Sequence, residues 1–115
     1  MQPTALVVDD HESFRRFASR LLIAAGYDVV GETGTAEAAV EEARRLRPAL
    51  VLLDVLLPDG SGIEAAEQLS DLVGTRVLLT SSRSRAELGA ALADRWFVAK
   101  SDLTIDQFVR LARDG

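Results

Sequence analysis

The sequence contains no cysteine, which excludes disulfide bridges, thiolate nucleophiles, zinc fingers and iron–sulfur clusters. Basic residues are also outnumbered: 13 Lys and Arg stand against 18 Asp and Glu, a net charge of −5. Without a basic block, an acidic chain is a poor nucleic-acid binder. There is no apolar run as long as a membrane span, and no charged segment precedes a signal-type apolar stretch. We therefore expect a cytoplasmic protein with no membrane partner.

The chain is 115 residues long, with 48% hydrophobic and 27% charged residues. This length is typical of one domain, and the composition is typical of a soluble globular protein rather than a disordered one. We therefore predict a single domain over residues 1–115.

Short apolar segments alternate along the chain with amphipathic ones, which predicts five strands and five helices. The predicted strands cover residues 4–8, 28–32, 49–53, 76–79 and 96–99. The apolar stripes of the predicted helices cover residues 14–25, 36–46, 63–73, 88–92 and 105–112. Gly26 and Pro48 are placed to end the first two helices. Ser84 with Glu87, and Thr104 with Gln107, have the spacing of a capping box before the last two.

Continuously apolar strands alternating with helices predict an α/β fold, a parallel sheet covered on both faces. The favoured architecture is a flavodoxin-like, doubly wound five-stranded sheet in the order 2-1-3-4-5. A Rossmann-type half is the alternative.

Polar side chains stand where the predicted strands end. Asp9 and Asp10 follow the first strand, Asp54 the third, residues 80–82 (TSS) the fourth, and Lys100 the fifth. In open α/β sheets this edge, at the switch in strand order, is where ligands bind. Three neighbouring carboxylates call for a cation, and an oxygen-only ligand set favours Mg²⁺ (or Mn²⁺). A carboxylate can also accept a phosphoryl group as a nucleophile, with hydroxyl and ammonium groups binding its oxygens.

Each of these residues also has an ordinary structural explanation. Asp9 or Asp10 could cap the first helix, the hydroxyls could satisfy backbone groups, and Lys100 could simply be solvated. His11 we assign to the surface rather than to the metal site. The functional interpretation rests on all these groups meeting at one edge of the sheet.

Four segments resemble the receiver domain of two-component response regulators, and the resemblance extends over the whole chain. The acidic pair lies in residues 6–11 (LVVDDH), and the phosphoacceptor segment in residues 52–62 (LLDVLLPDGSG). The hydroxyl strand matches residues 77–81 (VLLTS), and the lysine segment matches residues 97–100 (FVAK).

The resemblance implies that Asp54 accepts a phosphoryl group from the phosphohistidine of a sensor histidine kinase or phosphotransfer protein. It implies that Asp10 and Asp54 bind Mg²⁺ directly, together with the backbone carbonyl of Leu56, while Asp9 acts through water. Such a domain promotes only its own phosphotransfer and is not otherwise an enzyme. It signals to an output domain or effector protein, and a weak homodimer is also expected.

For the switch, the resemblance implies that Thr80, with Ser81 as the alternative, binds a phosphoryl oxygen. Lys100 would pair with another oxygen, and Phe97 would be the aromatic residue that follows the hydroxyl's movement.

The chain departs from the family pattern around the fourth helix. Ala93 and Trp96 stand where glycines are usual, and the spacings between motifs are a few residues short. We therefore expect a trimmed fourth helix and a reshaped surface around it and strand five. Ser101 follows Lys100 where proline is frequent, so we expect a trans peptide bond there.

Two further residues bear on the lifetime of a phosphoryl group. Leu56 and Ser82, beside the expected phosphoryl group, are not the polar pair that positions hydrolytic water in fast members. This departure predicts slow self-dephosphorylation.

Three other functions are alternatives to the phosphorylation switch. A haloacid dehalogenase-type phosphatase needs a second aspartate two positions after the nucleophile, and neither Asp9 nor Asp54 has one. A flavodoxin-like electron carrier is disfavoured because residues 9–12 (DDHE) would repel a flavin phosphate. A receiver-like protein–protein adaptor that works without phosphorylation remains open, since the fourth-helix region is altered.

Overall fold

The computed structural model describes residues 2–114 and alternates strands with helices from one end to the other. The strands of the main sheet are β1 (Thr4–Val8), β2 (Asp28–Thr33), β3 (Leu50–Asp54), β4 (Arg76–Ser81) and β5 (Phe97–Ala99). The helices are α1 (Glu12–Ala24), α2 (Ala36–Leu46), α3 (Gly62–Gln68), α4 (Arg85–Leu88) and α5 (Ile105–Asp114). Single 3₁₀ turns follow α4 and β5, at Gly89–Ala91 and Lys100–Asp102. Met1 and Gly115, the ends of the predicted domain, lie outside the described residues.

The five strands form one parallel sheet in the order β2-β1-β3-β4-β5. The predicted doubly wound fold and its strand order are therefore confirmed. Every residue of β3 is buried, as expected for a central strand with helices on both sides. In the register of β3 with β4, Asp54 is opposite Thr80.

Side chains of successive strand residues enter two different cores, one on each face of the sheet. Val51 and Leu53 of β3 pack with α2 and α3 on what we call the α2/α3 face. Leu50 and Leu52 pack with α1 and α5 on the α1/α5 face, where Phe108 is fully buried. Whether a residue occupies an odd or an even position along its strand thus determines which pair of helices its side chain packs against.

Both predicted capping boxes form. The Ser84 hydroxyl accepts from the Glu87 backbone N–H, and the Glu87 carboxylate accepts from the Ser84 N–H. Thr104 and Gln107 make the same reciprocal pair at 3.0 and 3.3 Å. These bonds satisfy N–H groups that otherwise lack partners at a helix start.

The third helix is shorter than its apolar stripe predicts. It ends at Gln68, and Val73, assigned to the stripe, is 91% exposed, so that part of the prediction is wrong. The Ser70 hydroxyl donates to the carbonyl of Glu67 at 2.7 Å, and Gly74 has φ +85°. Local side-chain bonding and a glycine in the left-handed region both favour a turn over further helix.

The segment after β3 holds a feature that the sequence did not predict. Leu56–Leu57 and Gly60–Ser61 pair as a two-stranded antiparallel hairpin. Strands of two residues are too short to show an alternating pattern, so the sequence predicts only a turn here.

The fourth helix is trimmed, as expected: it has four α-helical residues before the 3₁₀ turn. Ala93 then adopts φ +50°, a left-handed conformation that favours glycine. Arg85 bridges this region by donating to the carbonyls of Ala93 at 3.4 Å and Arg95 at 2.8 Å. Its guanidinium also lies 5.7 Å from the ring centroid of Phe97.

Within residues 2–114 no peptide bond is cis, so the bond after Lys100 is trans as expected. No helix of this part of the chain is long and apolar enough to cross a membrane.

Candidate functional site

The carboxyl ends of the parallel strands bring the predicted site residues to one edge of the sheet. Asp9 directly follows β1 and is fully buried, and Asp54 ends β3 with 5% of its surface exposed. Asp10, next to Asp9, is exposed. Lys100 directly follows β5 and is partly buried.

The Lys100 ammonium joins the two buried carboxylates. Its Nζ lies 2.6 Å from Oδ2 of Asp9 and 3.3 Å from Oδ2 of Asp54. Two buried anions thus share one cation, which leaves an excess of negative charge at this edge. Such an excess favours binding of a further cation.

The pKa values reflect this shared charge. Burial, followed by the charge of Asp9, raises the pKa of Asp54 to about 6, although Lys100 opposes the rise. Burial alone would raise the pKa of Asp9 too, but its bonds to Lys100 and to the His11 N–H hold it below its usual value. Burial would lower the pKa of Lys100, yet the two carboxylates together raise it. The site is therefore an ionised Asp9–Lys100 pair beside a carboxylate that is less readily charged.

His11 is exposed at the start of α1, as predicted, and it also contacts the acidic pair. Its Nδ1 lies 3.1 Å from Oδ1 of both Asp9 and Asp10, and its backbone N–H donates to Asp9 at 2.8 Å. Among residues 2–114, the group of three or more metal-ligand side chains with donor atoms within 4.8 Å of one another is Asp9, Asp10 and His11. The carboxylates of this group suit a hard divalent ion. The position of His11 directly after the acidic pair was the one sequence signal for its involvement.

The hairpin after β3 holds the Asp54 carboxylate from the other side. The backbone N–H of Leu56 donates to Oδ1 of Asp54 at 3.2 Å. The N–H of Gly62 donates to the carbonyl of Val55 at 2.7 Å, closing the loop. A Cβ on Gly62 would lie 1.9 Å from the Asp54 carbonyl oxygen, so only glycine fits at this position.

Asp59, at the tip of this loop, connects it to α2. Its two carboxylate oxygens accept from the backbone N–H groups of Ala36 at 2.7 Å and Glu37 at 3.0 Å. These bonds also hold the pKa of Asp59 below its usual value. No local sequence pattern indicates this contact, because the partners are more than twenty residues apart along the chain.

The two candidate hydroxyls lie on opposite faces of the sheet. Thr80 is fully buried and donates to the Val98 carbonyl at 2.7 Å. Val98 belongs to the α1/α5 face, whereas Phe97 packs on the α2/α3 face. Ser81, one residue after Thr80, shares the face of Phe97. Its hydroxyl oxygen accepts from the N–H of Arg83 at 3.0 Å.

A five-stranded parallel sheet with an acidic edge, a bridging lysine and an aromatic residue on β5 fits the receiver domain that the sequence resembles. A family model described as the response regulator receiver domain matches residues 5–97. The chain therefore belongs to the receiver domain family of two-component response regulators.

Curated relatives agree with this assignment. The chain is 42% identical over 79 residues to the response regulator protein VraR of Staphylococcus saprophyticus, covering 67% of this chain and 38% of that protein. It is 41% identical over 83 residues to a protein-glutamate methylesterase/protein-glutamine glutaminase of Alkalilimnicola ehrlichii, covering 71% of this chain and 21% of that protein. The chain thus spans well under half the length of either relative.

Solved structures show the same fold. The signal receiver domain of the response regulator NarL from Mycobacterium tuberculosis superimposes with a TM-score of 0.82 at 32% identity, covering 98% of this chain and 94% of that one. A CheY-like receiver domain from Methylobacillus flagellatus gives a TM-score of 0.83 at 19% identity, covering 99% and 98%. At that identity the second comparison supports the fold alone.

Proposed function

We propose that this domain accepts a phosphoryl group on Asp54 from the phosphohistidine of a sensor histidine kinase or phosphotransfer protein. The observation that carries the proposal is the Lys100 ammonium, which contacts buried Asp9 and Asp54 together. This arrangement supports capture of a phosphoryl group, because the cation already lies where the new negative charge would develop.

In the proposed transfer, an oxygen of the Asp54 carboxylate forms a bond to phosphorus while the phosphorus–nitrogen bond to the donor histidine breaks. The electron pair of that bond leaves with the imidazole. The carboxylate is oriented by the Leu56 N–H on Oδ1 and by Lys100 on Oδ2. These two contacts restrict the direction from which a donor can approach.

Asp10, Asp54 and the backbone carbonyl of Leu56 would hold a divalent cation, Mg²⁺ or Mn²⁺, with Asp9 acting through water. The excess of carboxylates over ammonium groups at this edge fits such an ion. When bound, it would offset charge on the phosphoryl oxygens.

For the hydroxyl that binds the phosphoryl group, the proposal takes Thr80, which is opposite Asp54 in the register of β3 with β4, with Ser81 as the alternative. Thr80 now donates to the Val98 carbonyl, so binding a phosphoryl oxygen would require it to release that bond to β5. Val98 is next to Phe97 in β5, so loss of this bond can pass a change at Asp54 to that ring. The surface changed by phosphorylation would be α4 and β5, where an output domain or effector protein would bind.

The test is to incubate the protein with Mg²⁺ and acetyl phosphate and to measure its intact mass. We expect a gain of one phosphoryl group, which is lost in Asp54→Asn and with a chelator present. Circular dichroism of the variant serves as the folding control. No gain in the folded, unsubstituted protein would refute the proposal.

One observation favours a second candidate, the adaptor that works without phosphorylation. The fourth helix has only four α-helical residues, so the α4 surface that would change is small. In that case a partner would bind Asp54→Asn and the unsubstituted protein equally well, whether or not acetyl phosphate is present.

A further inference from the structure

Lys100 has a third neighbour besides the two carboxylates. The ring of Phe14, on α1, lies with its centroid 4.2 Å from the Lys100 Nζ. Phe14 is partly buried and packs against the core of the α1/α5 face. The ammonium is therefore held between Asp9, Asp54 and an aromatic ring.

This contact limits where the ammonium can go. A lysine side chain is a flexible stem with a compact, strongly hydrated charge at its end. The electron-rich face of an aromatic ring attracts such a cation and replaces water on that side. With Phe14 present, the ammonium has less freedom to turn away from Asp54 into solvent.

We propose that Phe14 is a positioning residue for phosphoryl capture: its ring holds the Lys100 ammonium against the Asp54 oxygens before the phosphoryl group arrives. The inference rests on the proposed function, since it assigns a role within that transfer. Preorganised cations stabilise developing charge without having to rearrange during the reaction.

The chain offers a matched control one helical turn away. Phe17 is also on α1, and its ring centroid lies 6.2 Å from that of Phe14. It is 47% exposed and can be replaced without changing the ring over Lys100. Phe14→Leu keeps apolar volume but removes the π face, whereas Phe14→Tyr keeps both.

The first measurement is the rate of phosphorylation by acetyl phosphate at saturating Mg²⁺. We expect Phe14→Leu to slow the reaction by about three- to tenfold, the range of a cation–π contact at a partly exposed site. Phe14→Tyr should restore the rate, and Phe17→Leu should leave it unchanged. Thermal melts of all three variants report any loss of folding.

The second measurement is the proton NMR shift of the Lys100 ε-methylene group, which a ring face moves upfield. We expect this shift to disappear in Phe14→Leu and to persist in Phe17→Leu, an effect that a general loss of stability would not produce. A normal phosphorylation rate in folded Phe14→Leu would overturn this inference alone. Failure of the unsubstituted protein to be phosphorylated would overturn the proposed function as well.

Discussion

Replacing Gly62 with alanine is the strictest test of how the loop after β3 is held. The added Cβ would lie 1.9 Å from the Asp54 carbonyl oxygen, 2.8 Å from its carbonyl carbon and 3.0 Å from Cα of Val55. All three atoms are backbone, so no flexible side chain can move aside. Since ordinary contacts are roughly 3.5 Å or longer, the chain must open by about 1.5 Å.

That movement has two energetic consequences. Overpacking of this kind costs about 1–3 kcal/mol, and more where backbone must shift. Separating the Gly62 N–H from the Val55 carbonyl, now 2.7 Å apart, removes a further ~1 kcal/mol. We therefore expect Gly62→Ala to lose about 3 kcal/mol or more of unfolding free energy, together with much of its phosphorylation by acetyl phosphate.

Urea denaturation followed by circular dichroism measures the change, and Gly34→Ala is the matched control. A Cβ on Gly34 would meet its nearest neighbours at 3.6 and 3.7 Å, which are ordinary contacts close to Asp9 and Asp10. We expect this control to stay within about 1 kcal/mol of the unsubstituted protein. A Gly62→Ala variant as stable as the control would refute the reasoning.

Four further predictions follow from the site and its surroundings. Ala93→Gly should raise the unfolding free energy by about 0.5–1 kcal/mol in urea titrations, since it relieves a left-handed alanine at φ +50°; a loss of stability would contradict this. Asp54→Asn should stabilise the protein by roughly 1–3 kcal/mol at pH 7, because a carboxyl whose pKa rises from 3.8 to about 6 on folding binds more protons folded than unfolded. Stability from this group is therefore present below pH 3.8 and is lost as pH rises through about 6, so the gain in Asp54→Asn should vanish in acid; a pH-independent difference would argue against it. Thr80→Val should leave Asp54 phosphorylated but uncouple the Phe97 ring signals from phosphorylation in NMR spectra, while Ser81→Ala should leave that coupling in place; the reverse pattern would make Ser81 the switch. Once phosphorylated, the purified protein should keep its phosphoryl group far longer than seconds when followed by intact mass, and loss within seconds would show that fast hydrolysis survives without the polar pair.

Most of the fold could be predicted because the sequence patterns that indicate it lie within short segments of the chain. Apolar strands of uniform character, amphipathic helices and two capping boxes each occupy a short window of sequence. The end of α3 could not be predicted, because Val73 continues the apolar stripe of the helix although the chain has already turned.

The candidate site could be predicted only in part, for a similar reason. The positions of Asp9, Asp54 and Lys100 follow from where strands end. The distinction between Thr80 and Ser81 depends on the face of the sheet, and a shift of one residue exchanges the faces. The ring of Phe14 over Lys100 is a contact across 86 positions of sequence, 14 to 100, and no local pattern encodes it.

The two faces of the sheet separate phosphoryl binding from signalling in this small domain. Lys100 and Phe14 meet beside the α1/α5 face, whereas Ser81 and Phe97 share the α2/α3 face. Under the proposed function, a phosphoryl group binds among residues beside the α1/α5 face. The resulting change in conformation is transmitted to the surface of the α2/α3 face. Substitutions that change the signalling surface on the α2/α3 face can therefore occur without disturbing phosphoryl binding. Related domains can thus differ in the partner to which they signal while keeping the same phosphoryl donor.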